Sequence, residues 1–580
     1  MTHRNVVIVG GVAGGASCAA RLRRMDEGAS ILVLERGPFV SFANCGLPYY
    51  VGDVIRDESK LLLATPELFR RRFNIKVRTG NEVTAIDRQA REVEVRDVGT
   101  GRVYRESYDA LVLAPGAAPV RPPLPGIDLP GIFTLREVPD SRSIREWIES
   151  RNAHRAVVAG GGFIGLEMAE NLAHRGLEVT IIEMADQLLP PLDVEMAGYV
   201  RERVASNVAH LQLGDGLAGF EQASSGGLVV RTQSGASFPA DLAILSIGVR
   251  PETDLARRAG LELGERGGIR VDDRMRTSDP HIWAVGDAVE VANTVSGERE
   301  LIPLAGPANR QGRVAADVIA GRDARFRGVQ GTAVCGFFGM TAALTGATEK
   351  SLRRAGRDDF EAVYLHTPHH AGYYPGAKPI HIKLLFRKPD GLILGAQAVG
   401  EEGVERRIDV IATAMQMGGT VFDLEQAELC YAPQYGAAKD PVNLAGMVAS
   451  NVLRGDVELA PWCDLADTSA FVLDVREPGE FQCGCLHNAV NIPLGQLRDR
   501  LAELPRDREI WINCGVGQRA YYACRILSQH GFQVKNLSGG YQTYCAWKTE
   551  TSEQRPALLR AAAEQHHFDR VEDDVSVQSR

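Results

Sequence analysis

No stretch of this chain approaches the ~18–20 consecutive apolar residues that a membrane-spanning helix requires. Positive charge is not in excess either. The formal net charge is -9, which gives nucleic acid no electrostatic footing. Cysteine is sparse and irregularly spaced, at 10 in 580 residues, and that excludes a disulfide framework. The beginning of the chain lacks the pattern of an export signal. Met1 to Arg4 lead straight into Val6-Val7-Ile8-Val9-Gly10, a short apolar run ending in a glycine turn, which reads as a first β-strand. Reduced thiols and a cytoplasmic location are the expectation that follows.

What is present is glycine, 61 residues of it, which suits an α/β protein with many tight strand-to-helix turns. The chain is too long for one hydrophobic core, so three or four domains are expected. The first pattern is strand, glycine turn, helix, strand, acid: Val6–Val9, then Gly10-Gly11-Val12-Ala13-Gly14-Gly15, a helical run through Arg24, and Ile31–Leu34 ending at Glu35. Such a turn brings backbone N–H groups and a helix N-terminus to a pyrophosphate, and the acid accepts ribose hydroxyls. Val12 stands where the motif has its middle glycine. A second unit has the complete pattern: Ala156–Ala159, Gly160-Gly161-Gly162-Phe163-Ile164-Gly165, a helix to about His174, and Val179–Ile182 ending at Glu183. Met184 and Ala185 follow Glu183, with no arginine to receive a 2′-phosphate, so NADH is expected over NADPH. Two dinucleotide units imply two dinucleotides, and FAD with NAD is the natural pairing.

Further motifs make a resemblance specific: Leu111-Val112-Leu113-Ala114-Pro115-Gly116, Ser246-Ile247-Gly248-Val249-Arg250-Pro251, and Ile282-Trp283-Ala284-Val285-Gly286-Asp287. In this order the chain resembles the two-dinucleotide pyridine nucleotide–disulfide oxidoreductases. The resemblance implies an FAD-binding domain in two pieces, 1–118 and 241–325, around an NAD-binding domain at 119–240. It implies FAD contacts at Gly10, Val12, Gly14, Gly15, Glu35, Arg36, Asn44, Gly116, Asp287 (to the ribityl chain) and Ala305. For the nicotinamide dinucleotide it implies Gly160, Gly162, Gly165, Glu183 and Gly248.

Ser41-Phe42-Ala43-Asn44-Cys45 places the branch. Disulfide reductases with two redox cysteines carry them as C-x-x-x-x-C, but position 50 here is Tyr50 and the next cysteine is Cys335. A lone cysteine can cycle as a sulfenic acid, a persulfide or a mixed disulfide. The segment resembles the single-cysteine branch, which holds NADH peroxidases and oxidases, coenzyme A disulfide reductases and persulfide reductases. The peroxidase-like members carry a histidine in the first glycine turn, and Ala13 stands there. Guanidinium groups suit the phosphates of coenzyme A; Arg21 and Arg24 on the first helix, and Arg72 in Arg70-Arg71-Arg72, are candidates, with Ser17, Ser41 and Asn44 as neighbours.

From 326 to 445 the chain resembles that branch's dimerisation domain, with Tyr373 in Tyr373-Tyr374-Pro375-Gly376 and Tyr431 in Cys430-Tyr431-Ala432-Pro433. The resemblance implies a homodimer in which both tyrosines approach the partner's redox cysteine. It also implies substrate contacts at Asn309 and Lys439. The apolar pattern is read as breaking near Ala449, which makes 446–459 a linker.

Residues 460–548 resemble a rhodanese domain. The strand Glu509-Ile510-Trp511-Ile512-Asn513 leads into Cys514-Gly515-Val516-Gly517-Gln518-Arg519 and a helix. A loop rich in backbone N–H donors, with Arg519 at its end, is expected to lower the Cys514 pKa. Cys514 would then accept a sulfane sulfur. Cys483-Gly484-Cys485 reads as two incidental thiols, His369-His370 as polar surface, and no metal ligand set is found. The tail, 549–580, includes an Ala-Leu-rich helical stretch.

The whole reads as α/β: two Rossmann-like domains, an α/β dimerisation domain and a rhodanese-like α/β domain. It resembles the fusions of coenzyme A disulfide reductase with rhodanese. That implies NADH-driven, FAD-dependent reduction of coenzyme A persulfide, polysulfide or disulfide at Cys45, with Cys514 supplying sulfane sulfur. Two alternatives stay open: an NADH oxidase or peroxidase cycling a sulfenic acid, and a redox-sensing sulfur-carrier scaffold.

Overall fold

The computed structural model describes residues 4–224 and 226–551; the expected tail lies, beyond 551, outside them. The described residues fall into two compact units. One takes the chain up to 184 together with 208–331; the other takes 185–207 together with the residues from 332 on.

In chain order the first unit contains β1 (Asn5–Val9), α1 (Ala13–Met25), β2 (Ser30–Glu35), α2 (Leu47–Val51), β3 (Lys76–Thr79), β4 (Ala110–Leu113), β5 (Ile132–Phe133), α3 (Val138–Arg151), β6 (Arg155–Ala159), α4 (Phe163–His174) and β7 (Glu178–Ile182). After α5 (Val194–Ala205), which belongs to the other unit, come β8 (His210–Gln212), β9 (Leu242–Leu245), β10 (Ile282–Ala284) and α6 (Ala305–Ile319). Two parallel five-stranded sheets result, in the orders β10-β4-β1-β2-β3 and β8-β7-β6-β9-β5. Val6, Val7 and Ile8 are fully buried, as a parallel strand covered on both faces requires.

Both glycine turns are built alike. Gly10 (φ 91) and Gly160 (φ 106) take left-handed conformations that only glycine adopts without strain. A Cβ on Gly15 or Gly165 would come within 1.9 Å of the turn's own carbonyl oxygen, so the helix can begin this close to the strand only with glycine there. Gly312 of α6 similarly rests on the Gly14 carbonyl, where a Cβ would fall at 2.3 Å, and this seats α6 against α1.

The second unit continues with β11 (Ala333–Phe337), β12 (Met340–Gly346), β13 (Phe360–Pro368), β14 (Pro379–Arg387), β15 (Ile393–Gly400), α7 (Pro441–Leu453), β16 (Leu459–Ala460), β17 (Phe471–Asp474), α8 (Pro478–Cys483), β18 (Val490–Asn491), β19 (Ile510–Asn513), α9 (Gln518–Gln529), β20 (Val534–Leu537) and α10 (Gly540–Thr551). An antiparallel sheet, β11-β12-β15-β14-β13, is followed by a parallel one, β16-β20-β19-β17-β18.

Two boundaries differ from expectation. Residues 446–453 are the second half of α7, with Ala449 and Ser450 buried; the helical apolar period runs on past 446, so the chain breaks helix only at Arg454. Residues 185–207, expected inside the NAD-binding domain, pack with the second unit. Tyr199 of α5 stacks on His381 at 3.9 Å and 5°, and Gly198 lies against the α10 backbone, where a Cβ would meet the Ala546 carbonyl oxygen at 2.4 Å.

One face of β13 and β14 is polar. Tyr364 pairs in register with Lys383, and His366 with His381. The Lys383 ammonium is fully buried among Asp193 (3.0 Å), Glu349 (2.7 Å) and Glu195. These three carboxylates are close enough together to hold a metal ion, but Lys383 supplies the cation.

Candidate active site

The carboxyl ends of β1 and β2 open on a cavity of about 630 Å³ whose lining includes Gly10, Glu35, Gly116, Arg136, Glu252 and Asp287. The volume falls in the range of ~300–1,000 Å³ usual for ligand sites. Glu35 is almost wholly buried; its carboxylate accepts the Gly11 and Gly37 N–H groups, each at 2.8 Å. Arg36 and Arg136 both donate to Glu252, at 2.9 and 2.8 Å. Burial acts to raise the Glu252 carboxyl, yet the hydrogen bonds from Arg136 and Arg36 hold it below its ordinary value. Asp287 is pushed up, chiefly by burial, against the Arg136 charge. Gly116 (φ 75) and Gly286 (φ 86) leave open backbone beside the cavity. A buried acid fixed at the glycine turn, a half-buried carboxyl at Asp287 and open glycine backbone fit FAD. Val12 caps α1 at φ -95, outside the left-handed region, so its backbone conformation does not call for glycine.

The second turn repeats the first. Glu183 accepts the Gly161 N–H at 2.6 Å, the counterpart of Glu35 and Gly11. Gly162 and Gly248 face open space, with no atom within 4 Å of a built Cβ. These residues fit a second dinucleotide.

Cys45 is exposed on the short turn Asn44–Gly46 that leads into α2. Its N–H donates to the Asn44 side-chain oxygen at 3.1 Å. Loss of solvent around the thiol, then the carboxylates of Glu167 and Asp287, push its pKa up. Tyr50, at the position of the missing second cysteine, is buried, and Arg145 lies 4.5 Å from its ring centre. The sequence reading missed Glu167. Burial pushes its carboxyl up to about 7, and Tyr49 donates to it at 3.4 Å. An acid two residues beyond G-x-G-x-x-G, in the second turn of its helix, was the signal available.

The coenzyme A candidates divide. Ser17 and Asn309 hydrogen-bond to each other across α1 and α6. Arg21 holds Asp317 of α6 at 2.8 and 3.1 Å, so its charge is already paired. Arg24 and Arg72 are exposed, and Arg70 pairs with Glu67 at 2.9 Å. Ser41 (φ 48) donates its N–H to the Gly11 carbonyl at 2.8 Å, tying the cysteine segment to the first turn. Ala305 opens α6 and is exposed. In the second unit Tyr373 and Tyr431 are exposed, with their phenolic oxygens 2.6 Å apart; Lys439 is exposed. His370, expected at the surface, is buried, its ring nitrogen 3.0 Å from the Ala371 carbonyl oxygen.

Cys514 stands at the end of β19 as expected, but its chemistry is corrected. The Gly517 N–H donates to Sγ at 3.1 Å, and the Val516 and Ala520 amides also favour the thiolate. Burial nonetheless wins: Cys514 is fully buried and its pKa is raised, not lowered. The Arg519 charge is shared with Glu480 through two contacts of 2.7 Å. Cys483 and Cys485 are exposed thiols at the end of α8.

Comparison with known proteins identifies the domains that carry these residues. Residues 4–312 match the family described as pyridine nucleotide-disulphide oxidoreductase, 332–440 its dimerisation domain, and 462–546 the rhodanese-like domain. The chain belongs to the pyridine nucleotide-disulphide oxidoreductase family. Within it, the chain is of the coenzyme A disulfide reductase–rhodanese type, a flavin-dependent enzyme using FAD and NAD(H). The coenzyme A disulfide reductase of Staphylococcus haemolyticus is 34% identical over 77% of this chain and 100% of its own length. The crystal structure of reduced Bacillus anthracis CoADR-RHD has a TM-score of 0.93 at 47% identity, covering 95% of this chain and 99% of that one. A NAD-dependent persulfide reductase from A. fulgidus has a TM-score of 0.86 at 39% identity, covering 93% and 100%. Among the described residues, no helix is long and apolar enough to cross a membrane.

Proposed function

We propose that this oxidoreductase uses NADH to reduce coenzyme A persulfide, polysulfide or disulfide at Cys45, releasing coenzyme A thiol and, from persulfide or polysulfide, sulfide. The observation that carries the reading is an exposed, free redox thiol whose usual second cysteine is replaced by the packed ring of Tyr50. With no thiol partner in the same segment, the partner must be a substrate sulfur. The names of the Staphylococcus haemolyticus and A. fulgidus relatives support both sulfur acceptors.

When bound, FAD would supply the chemistry that takes a hydride from NADH and hands its electrons to sulfur. Glu35, Arg36, Arg136 and Asp287 would hold that group, and Glu183 with the Gly160–Gly165 turn would hold the nicotinamide dinucleotide. The Cys45 thiolate attacks the sulfur–sulfur bond of the substrate: with coenzyme A disulfide it forms a mixed disulfide as one coenzyme A thiolate leaves, and with the outer sulfur of coenzyme A persulfide it forms a Cys45 persulfide as coenzyme A thiolate leaves. Ser17, Arg24, Arg72 and Asn309 receive coenzyme A, with Arg21 buttressing α1 through Asp317. In a homodimer, Tyr373, Tyr431 and Lys439 reach the site containing Cys45 of the partner subunit, where the phenols protonate the departing thiolate. The Cys514 thiolate takes the outer sulfane sulfur of a polysulfide or persulfide as the shortened thiolate leaves, and passes it from the Cys514 persulfide to an acceptor thiolate, regenerating Cys514.

NADH oxidation by the holoenzyme should be followed against coenzyme A disulfide, coenzyme A persulfide and hydrogen peroxide, with sulfide measured alongside. Both sulfur acceptors should be consumed, with sulfide appearing only from the persulfide. Turnover of peroxide alone would replace this reading with a sulfenic-acid cycle.

A further inference from the structure

Two adjacent arginines on one helix hold the loops that carry Tyr373 and Tyr431. The helix is Val404–Gln416, with Arg406 and Arg407 near its start. Arg407 is fully buried. Its guanidinium donates to the Asp440 carboxylate at 2.9 and 3.3 Å and to the His369 carbonyl at 2.6 Å. Asp440 in turn caps α7 by accepting the Val442 N–H at 3.1 Å. One buried cation therefore joins the start of the Tyr373 loop, between β13 and β14, to the end of the Tyr431 loop. Gly403 leaves room for it: a Cβ there would fall 2.2 Å from an Arg407 guanidinium nitrogen. The loops are also tied directly, the Ala371 N–H donating to the Gly436 carbonyl at 2.8 Å.

Arg406 is half-buried and grips the Tyr431 loop on both sides of the tyrosine. It donates to the Tyr435 carbonyl at 2.7 Å and to the Cys430 carbonyl at 3.3 Å, with the Asp440 carboxylate 3.9 Å away. A guanidinium suits this task because its fork reaches two acceptors at once in a fixed plane. Tyr431 lies in a stretch, 427–440, that holds no helix or strand, so ties to its backbone decide where its phenol stands.

We propose that Arg406 is a positioning residue for the reduction: by bracketing Tyr431 it holds that phenol against the phenol of Tyr373, so that the two are presented as one unit. Arg407 and Asp440 form the buried base on which the two loops are set, and Arg406 adjusts the loop that stands furthest from regular structure. This deepens the reading of the two phenols as acids toward the departing thiolate and rests on it.

The test is steady reduction of coenzyme A disulfide by the holoenzyme, with Arg406→Ala made alone and on Tyr431→Phe. Alone, it should lower kcat about tenfold, short of the ~hundredfold that a displaced group can cost. On Tyr431→Phe it should change kcat by less than about twofold, since no phenol is left at 431 to hold and effects within one unit do not add. Stopped-flow reduction of the flavin by NADH should be unchanged by Arg406→Ala. Full speed in Arg406→Ala, an equal loss on both backgrounds, or slower flavin reduction overturns the proposal. A failure of the reading beneath it looks different: Tyr431→Phe by itself would then reduce coenzyme A disulfide at full speed.

Discussion

The phenolic oxygens of Tyr373 and Tyr431 lie 2.6 Å apart, joining two loops 58 residues apart in the chain. The hydrogen bond to Tyr431 raises the Tyr373 pKa, so Tyr373 stays protonated at neutral pH and can donate. Tyr373→Phe and Tyr431→Phe should each slow steady reduction of coenzyme A disulfide by about a hundredfold, at the lower edge of what general acids contribute. Stopped-flow reduction of the flavin by NADH should be unchanged. Loss of that step too would assign the tyrosines to folding.

Glu183 accepts the Gly161 N–H and so presents its charge at the second turn. Glu183→Ala should raise the NADPH/NADH ratio of kcat/KM by about tenfold, equivalent to about 1.4 kcal/mol. An unchanged ratio would mean that the discrimination resides elsewhere in the second turn.

Lys383 is the buried cation for three acids. Burial acts to lower its pKa, but Glu195, Tyr364, Asp193 and Glu349 hold it well above ordinary. Its stabilisation is thus complete below the ordinary lysine value and is lost only as pH rises through the higher folded one. Lys383→Met should cost about 3–5 kcal/mol. It should also reverse the acid limb: Asp193 and Glu349, held low in the native protein, would gain by protonation, so Tm should rise from pH 7 to pH 5. A variant whose Tm falls over that range would refute the assignment.

Glu480 shares the Arg519 charge at the Cys514 loop. Glu480→Gln should release that field onto Cys514, lower the thiol's pKa and speed its alkylation at neutral pH. A slower or unchanged rate would show that burial alone governs Cys514.

Much of this site is legible in the sequence because its parts are local. Both glycine turns, Glu35 and Glu183, Cys45 without a second cysteine, and Cys514 at a strand end each sit in a contiguous pattern tied to one strand and one helix. What escaped is long-range. Glu167 matters through its neighbours on α2, Glu252 through arginines more than 100 residues away, and Lys383 through acids on α5 and beyond. No period or motif marks such pairs. Two errors have plain physical causes. The α7 helix continued because its apolar period continued, and the nest around Cys514 was outweighed by the burial that the same packing imposes.

The central claim is that Cys45 itself bonds to the substrate sulfur. It is tested most directly by mixing the holoenzyme with coenzyme A disulfide without NADH and weighing the Cys45 peptide. The account predicts a coenzyme A mixed disulfide on Cys45, removed by NADH with release of one coenzyme A thiol. A Cys45 left unmodified while the protein still oxidises NADH with that acceptor would contradict it.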